Sequence, residues 1–245
     1  MWKAEGNIVH LAIDDLEAQL NLRQPGRGLF RLHWLDQLLG DAAILQIRST
    51  AATTAEEDLS ESYVRGTDLI ATYGQRAERT IVPQVYWRAV QHADLAVVGI
   101  ELVLSVRTEL LDDDPRLTVG SELPRCPVWR LPDDETARLE PLVRDAGDAV
   151  RHRIERPAVF VYRLSGADCS FIEMIHPTDF AGAELTGPAA GTRLRSLFQL
   201  FPERLEKGVI RRGRLQGLFV ASLRAQAVAR ECYQRFANST IPLTA

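Results

Sequence analysis

The sequence is poor in cysteine, and its cysteines do not come in pairs. Cys126, Cys169 and Cys232 lie far apart in a chain of 245 residues. A disulfide framework and a zinc cluster both depend on closely spaced cysteine pairs. We therefore expect three free thiols that bind no metal.

Short motifs for nucleotide binding or for activating a nucleophile are also missing. No glycine-rich loop precedes Lys-Ser or Lys-Thr, and neither Gly-x-Gly-x-x-Gly nor Gly-x-Ser-x-Gly opens a helix. The glycines of Pro25-Gly26-Arg27-Gly28 are interpreted as a turn, because no strand directly precedes them. The five histidines are never four residues apart. The sequence thus predicts neither a cofactor nor a metal.

Long hydrophobic runs are absent as well. No stretch approaches the ~18 apolar residues that a membrane-spanning helix needs. The longest apolar stretch, near residues 95–104, is interrupted by Gly99 and Glu101. The first residues lack the apolar core of a signal peptide. We expect a cytoplasmic protein without a membrane partner.

Lysine is scarce, and charge is unevenly distributed. The chain has 29 basic and 33 acidic residues, a net charge of −4, and its only lysines are Lys3 and Lys207. Residues 186–245 contain ten basic and three acidic side chains. Arginine binds carboxylates and phosphates through a planar fork. A GC-rich genome would produce the same arginine bias without functional meaning.

Period-two alternation of apolar residues predicts antiparallel strands in the middle of the chain. Val85 and Trp87 face one side of one segment, and Ile100 and Leu102 face one side of the next. The short link at residues 91–94 predicts a hairpin between them. Further strands are predicted at residues 7–13, 43–49, 117–121, 158–164, 170–176, 193–201 and 209–220.

Three helices are predicted between these strands. Leucines at 32, 35 and 39 have helical spacing and are followed by Gly40. A second helix begins at Asp133 or Asp134 and has an apolar stripe that extends from residue 139 to residue 150, with Pro141 in its first turn or at a kink. The third covers about residues 222–236 and ends near Asn238.

This element order predicts an α+β fold with a large, mostly antiparallel sheet and a few helices packed on one face. The length fits a single domain, 1–245. The order of strand, helix and strands occurs twice, which suggests two similar halves, 1–92 and 93–245.

The predicted order is similar to one module of the sliding-clamp architecture. The resemblance lies in topology alone, covers most of the chain loosely and depends on no signature residue. It implies a curved sheet with helices on its inner face. A clamp needs several such modules to close a ring, and this chain supplies one.

Four arginines are the candidate binding residues. Arg193 and Arg195 share one face of a predicted strand, and Arg212 and Arg214 share one face of the next. Paired through the loop at 202–208, the two strands would present four guanidinium groups together. Like charges on neighbouring strands repel each other. The cluster therefore implies an anionic partner, or carboxylates supplied by the same chain.

From this face we expect a non-catalytic binding or assembly module. Its partner would be a protein or a second copy of the chain, with an anionic ligand or nucleic acid as alternatives. The competing hypothesis is an enzyme that acts on an anionic substrate, with a site around Glu173, His176 and Asp179. On a strand, however, Glu173 and His176 would point to opposite faces.

Overall fold

Two antiparallel β-sheets pack face to face, because most of the chain alternates apolar and polar residues with a period of two. The structure is a computed structural model, and it describes residues 1–49, 56–75, 80–133, 138–144, 149–189 and 191–240. Strands account for 60% of the chain and helices for 11%.

Each sheet contains strands from several parts of the chain. The ten-stranded sheet has the order β1-β2-β3-β4-β6-β12-β19-β18-β15, with β5 paired to β4. Its strands are β1 (Trp2–Glu5), β2 (Ile8–Ile13), β3 (Leu16–Asn21), β4 (Leu29–Trp34), β5 (Gln37–Leu38), β6 (Ala43–Ser49), β12 (Leu117–Pro124), β15 (Val150–Ile154), β18 (Ala183–Gly187) and β19 (Arg193–Leu200).

The nine-stranded sheet has the order β14-β13-β16-β17-β21-β10-β9-β8-β7. Its strands are β7 (Leu59–Arg65), β8 (Asp68–Tyr73), β9 (Ile81–His92), β10 (Val97–Thr108), β13 (Val128–Pro132), β14 (Glu140–Val143), β16 (Ala158–Leu164), β17 (Cys169–Ile175) and β21 (Arg211–Ala221). Two short strands, β11 (Asp112–Asp113) and β20 (Leu205–Glu206), pair separately.

Aromatic contacts that cross from one sheet to the other close the interior. The rings of Phe160 in β16 and Phe198 in β19 are 5.6 Å apart between centroids. The rings of Trp34 in β4 and Phe219 in β21 are 6.4 Å apart. Inner-face residues such as Leu102 of β10 are fully buried. Each sheet therefore buries its apolar face against the other sheet.

The only α-helix among the described residues is α1 (Ala225–Ala237), which packs on the outer face of the nine-stranded sheet. Its Val228 and Cys232 are buried in a second apolar cluster with Ile172 of β17 and Leu218 of β21. The predicted C-terminal helix is thus confirmed. Within the described ranges, no helix is long and apolar enough to cross a membrane.

The helix predicted before Gly40 is wrong. Leu32 lies in β4, and the turn residues Leu35 and Asp36 both have positive φ, at 50° and 63°. This conformation reverses the chain as a two-residue hairpin into β5. Leu35 is 61% exposed, whereas the apolar stripe of a helix is buried. The helical spacing of the leucines therefore spans a strand and a turn.

The helix predicted after Asp133 is also wrong where the chain is described. Its apolar stripe is divided between β14 in the nine-stranded sheet and β15 in the ten-stranded sheet. Pro141 lies in β14, an edge strand, where its missing N–H leaves no pairing unmade. Asp134 and Ala146 lie outside the described residues.

These two corrections overturn the predicted α+β fold and its resemblance to a sliding clamp. Two of the three predicted helices are strands, so the second layer is another sheet and not a row of helices. Apolar residues at helical spacing in short segments also fit strands joined by turns. The part of the chain that the structure describes is nearly all antiparallel sheet, with one α-helix.

A glycine lets the loop before β4 lie directly on β6. Gly28 has φ 63° and ψ −159°, and a Cβ at this position would lie 2.0 Å from the carbonyl oxygen of Ile44. No other residue type fits so close an approach. The contact holds the preceding turn, Pro25–Arg27, against β6 and places Arg27 at the surface of the ten-stranded sheet.

Replacing this glycine should destabilise the fold more than replacing a glycine of similar φ in open space. We expect Gly28→Ala to lower the free energy of unfolding by about 3 kcal/mol or more, because strain and a backbone clash add together. Gly6→Ala, at φ 65° with no atom near its Cβ, should cost about 1 kcal/mol. Urea unfolding of both variants measures the difference, and equal losses would contradict the proposed clash.

Candidate functional site

The two arginine pairs lie on opposite sides of the sandwich. Arg193 and Arg195 are in β19, which pairs with β12 and β18 in the ten-stranded sheet. Arg212 and Arg214 are in β21, which pairs with β10 and β17 in the nine-stranded sheet. The predicted alternation within each strand is confirmed, but the predicted pairing of the two strands is wrong. Segment 202–208 connects the two sheets.

Arg214 belongs to a clasp at the C-terminal end of α1. The residue Arg214 is 2% exposed. Its Nε lies 3.7 Å from Oδ2 of Asp179, and its Nη1 donates to the carbonyl oxygen of Ser239 at 3.2 Å. The backbone N–H of Arg214 donates to the same Asp179 oxygen at 3.0 Å. This arginine is therefore committed to contacts within the chain.

His176 completes the clasp. Its Nε2 lies 3.1 Å from the carbonyl oxygen of Ala237 and must donate to it, so Nδ1 accepts from the Thr178 hydroxyl at 2.8 Å. Burial and the charge of Arg214 lower the pKa of His176. With both ring nitrogens engaged and the imidazole neutral, His176 fastens the last turn of α1.

Glu173 points the other way, into the sandwich interior. It is fully buried and accepts hydrogen bonds from Ser121 at 2.5 Å, Ser196 at 2.6 Å and Tyr162 at 3.2 Å. Burial raises its pKa to about 7, although the three hydroxyl donors oppose the shift. The opposite orientations of Glu173 and His176 are as the strand alternation predicted. The structure brings His176 and Asp179 together and separates Glu173 from both.

The outer face of the ten-stranded sheet has an open groove around Glu122 of β12. Two adjoining depressions of about 740 Å³ and about 470 Å³ share Glu122 and Arg193 along their common border. We call them together the arginine groove. The arginines that line it are Arg27, Arg31, Arg151, Arg193 and Arg195, and the carboxylates are Asp41, Glu122 and Glu184.

Three guanidinium groups surround the Glu122 carboxylate. Arg195 lies 3.1 Å from it, Arg48 of β6 lies 3.5 Å from it, and Arg193 lies 4.0 Å from it. Burial disfavours the charge on Glu122, but the Arg195 hydrogen bond and the three positive charges outweigh burial and lower its pKa. Burial and the neighbouring Arg195 lower the pKa of Arg48. Arg193 also lies 3.9 Å from the Asp41 carboxylate, so three guanidinium groups face two carboxylates and leave an excess of one positive charge here.

The smaller depression adds an aromatic ring and an amide. The guanidinium carbon of Arg27 lies 4.2 Å from the ring centroid of Phe30, which is partly exposed. Gln46 of β6 accepts from Arg48 at 2.7 Å. Sequence reasoning missed Arg27, Phe30, Arg48 and Glu122. Alternation along residues 117–123 could have placed Glu122 on the outer face, opposite buried Leu117 and Leu123.

No protein-family model and no curated protein matches this sequence. Among solved structures, a galactose mutarotase-like protein from Lactobacillus casei ATCC 334 is similar, with a TM-score of 0.54 and 12% identity over 87% of this chain and 100% of that one. A putative aldose 1-epimerase from Klebsiella pneumoniae subsp. pneumoniae MGH 78578 has a TM-score of 0.50 and 9% identity over 99% and 90% of the two chains.

A TPR-domain containing protein from Parabacteroides distasonis ATCC 8503 is similar at a TM-score of 0.55 and 8% identity over 87% of this chain. The match covers 47% of that protein, so this chain spans about half of its length. At these identities the likeness concerns the fold alone. The chain has a β-sandwich fold similar to that of the mutarotase-like protein and the putative epimerase.

The buried Glu173 should make stability depend on pH. The folded protein keeps the Glu173 proton up to about pH 7, whereas the unfolded chain releases it near the ordinary value of 4.5. The contribution of Glu173 to the free energy of unfolding is therefore fully present below pH 4.5 and is lost as the pH rises through 7. Raising the pH from about 5 to about 8 should therefore lower the contribution of Glu173 to the free energy of unfolding by about 2 to 3 kcal/mol.

Glu173→Gln keeps the shape of the side chain without its charge and should remove this share of the pH dependence. Urea unfolding at both pH values measures it. Burial also raises the pKa of Glu101 and lowers the pKa of His92 and His176, which contributes slopes of opposite sign, so the measured quantity is the difference in slope between the variant and the wild-type protein. If the variant and the wild-type protein show identical slopes, Glu173 does not titrate as proposed.

Proposed function

We propose that the chain binds an anionic carbohydrate in the arginine groove, without catalysing its conversion. The observation that carries the proposal is the arrangement of Arg48, Arg193 and Arg195 around the carboxylate of Glu122, with Asp41 as the second carboxylate beside Arg193. Guanidinium groups bind carboxylates and phosphates in bidentate fashion, and the excess positive charge needs an anion to balance it.

The size and lining of the groove support a small molecule as the ligand. Depressions of about 740 Å³ and about 470 Å³ lie in the range typical of ligand pockets. The Phe30 ring carries the Arg27 guanidinium at 4.2 Å, and the buried Gln46 amide is bonded to Arg27 and Arg48, so both side chains hold arginines of the groove in place. Similar folds occur in proteins named for galactose and aldoses, which favours a sugar among anionic ligands.

Binding is favoured over catalysis because the carboxylate at the centre of the groove is surrounded by guanidinium groups. Converting one anomer of an aldose to the other needs a base at the anomeric hydroxyl and an acid at the ring oxygen. Among the described residues that line the groove there is no histidine. The arginines keep their protons, and the lowered pKa of Glu122 makes it a poor base at neutral pH.

The test is titration calorimetry with D-glucuronate, D-galacturonate and D-glucose 6-phosphate, each compared with neutral D-glucose. We expect at least one anionic sugar to bind and glucose to bind far more weakly. Arg195→Gln should weaken that binding by about tenfold or more, because one charge-assisted contact is lost. Higher salt should weaken it as well.

Arg211→Gln is the matched control. Arg211 lies on the other sheet, is 49% exposed against 43% for Arg195, and forms an ion pair with Glu203 at 3.4 Å. It should bind the sugar as the wild-type protein does. Equal binding of charged and neutral sugars, or an unchanged affinity of Arg195→Gln, would overturn the proposal. Accelerated mutarotation, followed by polarimetry, would instead support an enzyme.

A further inference from the structure

Strand β7 is an exposed edge of the nine-stranded sheet. Among the described residues β7 pairs only with β8, and all of its residues after Leu59 are exposed. Tyr63 is 38% exposed and Val64 is 44% exposed. An unprotected edge of this length is a template for pairing with another strand.

The register with β8 shows which backbone groups point to the free edge. A two-residue turn joins Arg65 to Asp68, so these two residues exchange backbone hydrogen bonds, as does every second pair further along. In β7, residues 61, 63 and 65 therefore face β8. Ser62 and Val64 direct their N–H and C=O groups outward, away from the sheet.

A twofold axis through Tyr63 makes this edge complementary to itself. Ser62 of one copy lies opposite Val64 of the other, and the twofold axis makes this pair occur twice. Both residues have outward backbone groups, so each pair exchanges two hydrogen bonds and the contact has about four. The same axis sets the two copies of Tyr63 side by side. It also sets Glu61 opposite Arg65 of the second copy, twice, on the same face as Tyr63.

Glu61 and Arg65 are both exposed, and neither has an ion pair within the described part of the chain. In closely spaced cross-strand pairs, opposite charges attract and like charges repel. The charges of β7 are therefore placed to favour a second copy of the same strand in antiparallel register.

The other three sheet edges are protected. β1 and β14 are four residues long, and they contain Lys3 and Pro141, both of which discourage edge pairing. β15 is five residues long, and a twofold axis through His152 would set Arg151 against Arg153 of the second copy. Like charges would repel there. A twofold axis through Ala4 of β1 would set Lys3 against Glu5, but these two already pair within the chain at 2.9 Å, whereas Glu61 and Arg65 of β7 have no ion pair among the described residues.

We propose that the chain forms a homodimer through antiparallel pairing of β7 about Tyr63, which joins the two nine-stranded sheets into one continuous sheet. The arginine groove lies on the other sheet of each copy, so both grooves stay open in this dimer. The proposal does not depend on what the groove binds.

The experiment is sedimentation velocity of the full chain from about 1 to about 200 µM. We expect a concentration-dependent shift from one chain to two. Glu61→Arg sets like charges against each other at both ends of the contact and should raise the dissociation constant by about tenfold or more. The double exchange Glu61→Arg with Arg65→Glu restores opposite charges and should recover dimerisation.

Val64→Pro is a second variant that acts on the backbone. It removes an N–H that points to the free edge while leaving the pairing with β8 intact, so thermal unfolding should stay the same as the dimer is lost. Arg153→Glu on β15 is the control and should leave the dimer unchanged. A wild-type monomer at every concentration, or a dimer that withstands Glu61→Arg, would overturn the proposal.

Discussion

The structure depends on the burial of two apolar sheet faces against each other. Each interior side chain is held by a neighbour from the opposite sheet, as Phe160 is by Phe198, and burying apolar surface contributes about 25 cal/mol per Å². Because side chains alternate along a strand, filling the interior also determines which residues face outward. The chemistry at the surface therefore depends on the packing inside.

Strands β12 and β19 show this dependence most directly. Ser121 and Ser196 point inward to Glu173 of β17, while the adjacent residues Glu122 and Arg195 point outward into the groove. A buried carboxyl with a raised pKa and a surface carboxylate with a lowered pKa thus lie on opposite sides of the same two strands. Burial accounts for the first shift and neighbouring guanidinium groups for the second.

The sequence predicted local features better than it predicted which strands pair. Alternation placed Arg193 and Arg195 on one face of a strand and Arg212 and Arg214 on one face of another, and both placements are right. Pairing of the two strands was inferred from the short loop between them. Instead, β19 pairs with the nearby β18 and with β12, 69 to 83 positions away, and β21 pairs with β17, 40 to 52 positions away, and with β10, 105 to 121 positions away. No local pattern carries that information, because register between distant strands depends on the filled interior.

The same limit explains the two helices that do not form and the site residues that were missed. The leucines at 32, 35 and 39 fit a helical period by chance, and only the positive φ at Leu35 distinguishes a hairpin. Arg27 and Glu122 are far apart in sequence and meet at the groove because β6 pairs with β12. The C-terminal helix is the exception, since its apolar stripe is long enough to be unambiguous.

The last strand among the described residues occupies the middle of a sheet. β21 lies between β17 and β10, so the meander β7–β10 has an unfilled side until residue 221 has been synthesised. Contacts between segments so distant in sequence slow folding, because loop entropy is lost before the strands pair. On the ribosome, β10 stays an open edge while more than a hundred further residues are added, and an unpaired strand edge favours aggregation until its partner has been made.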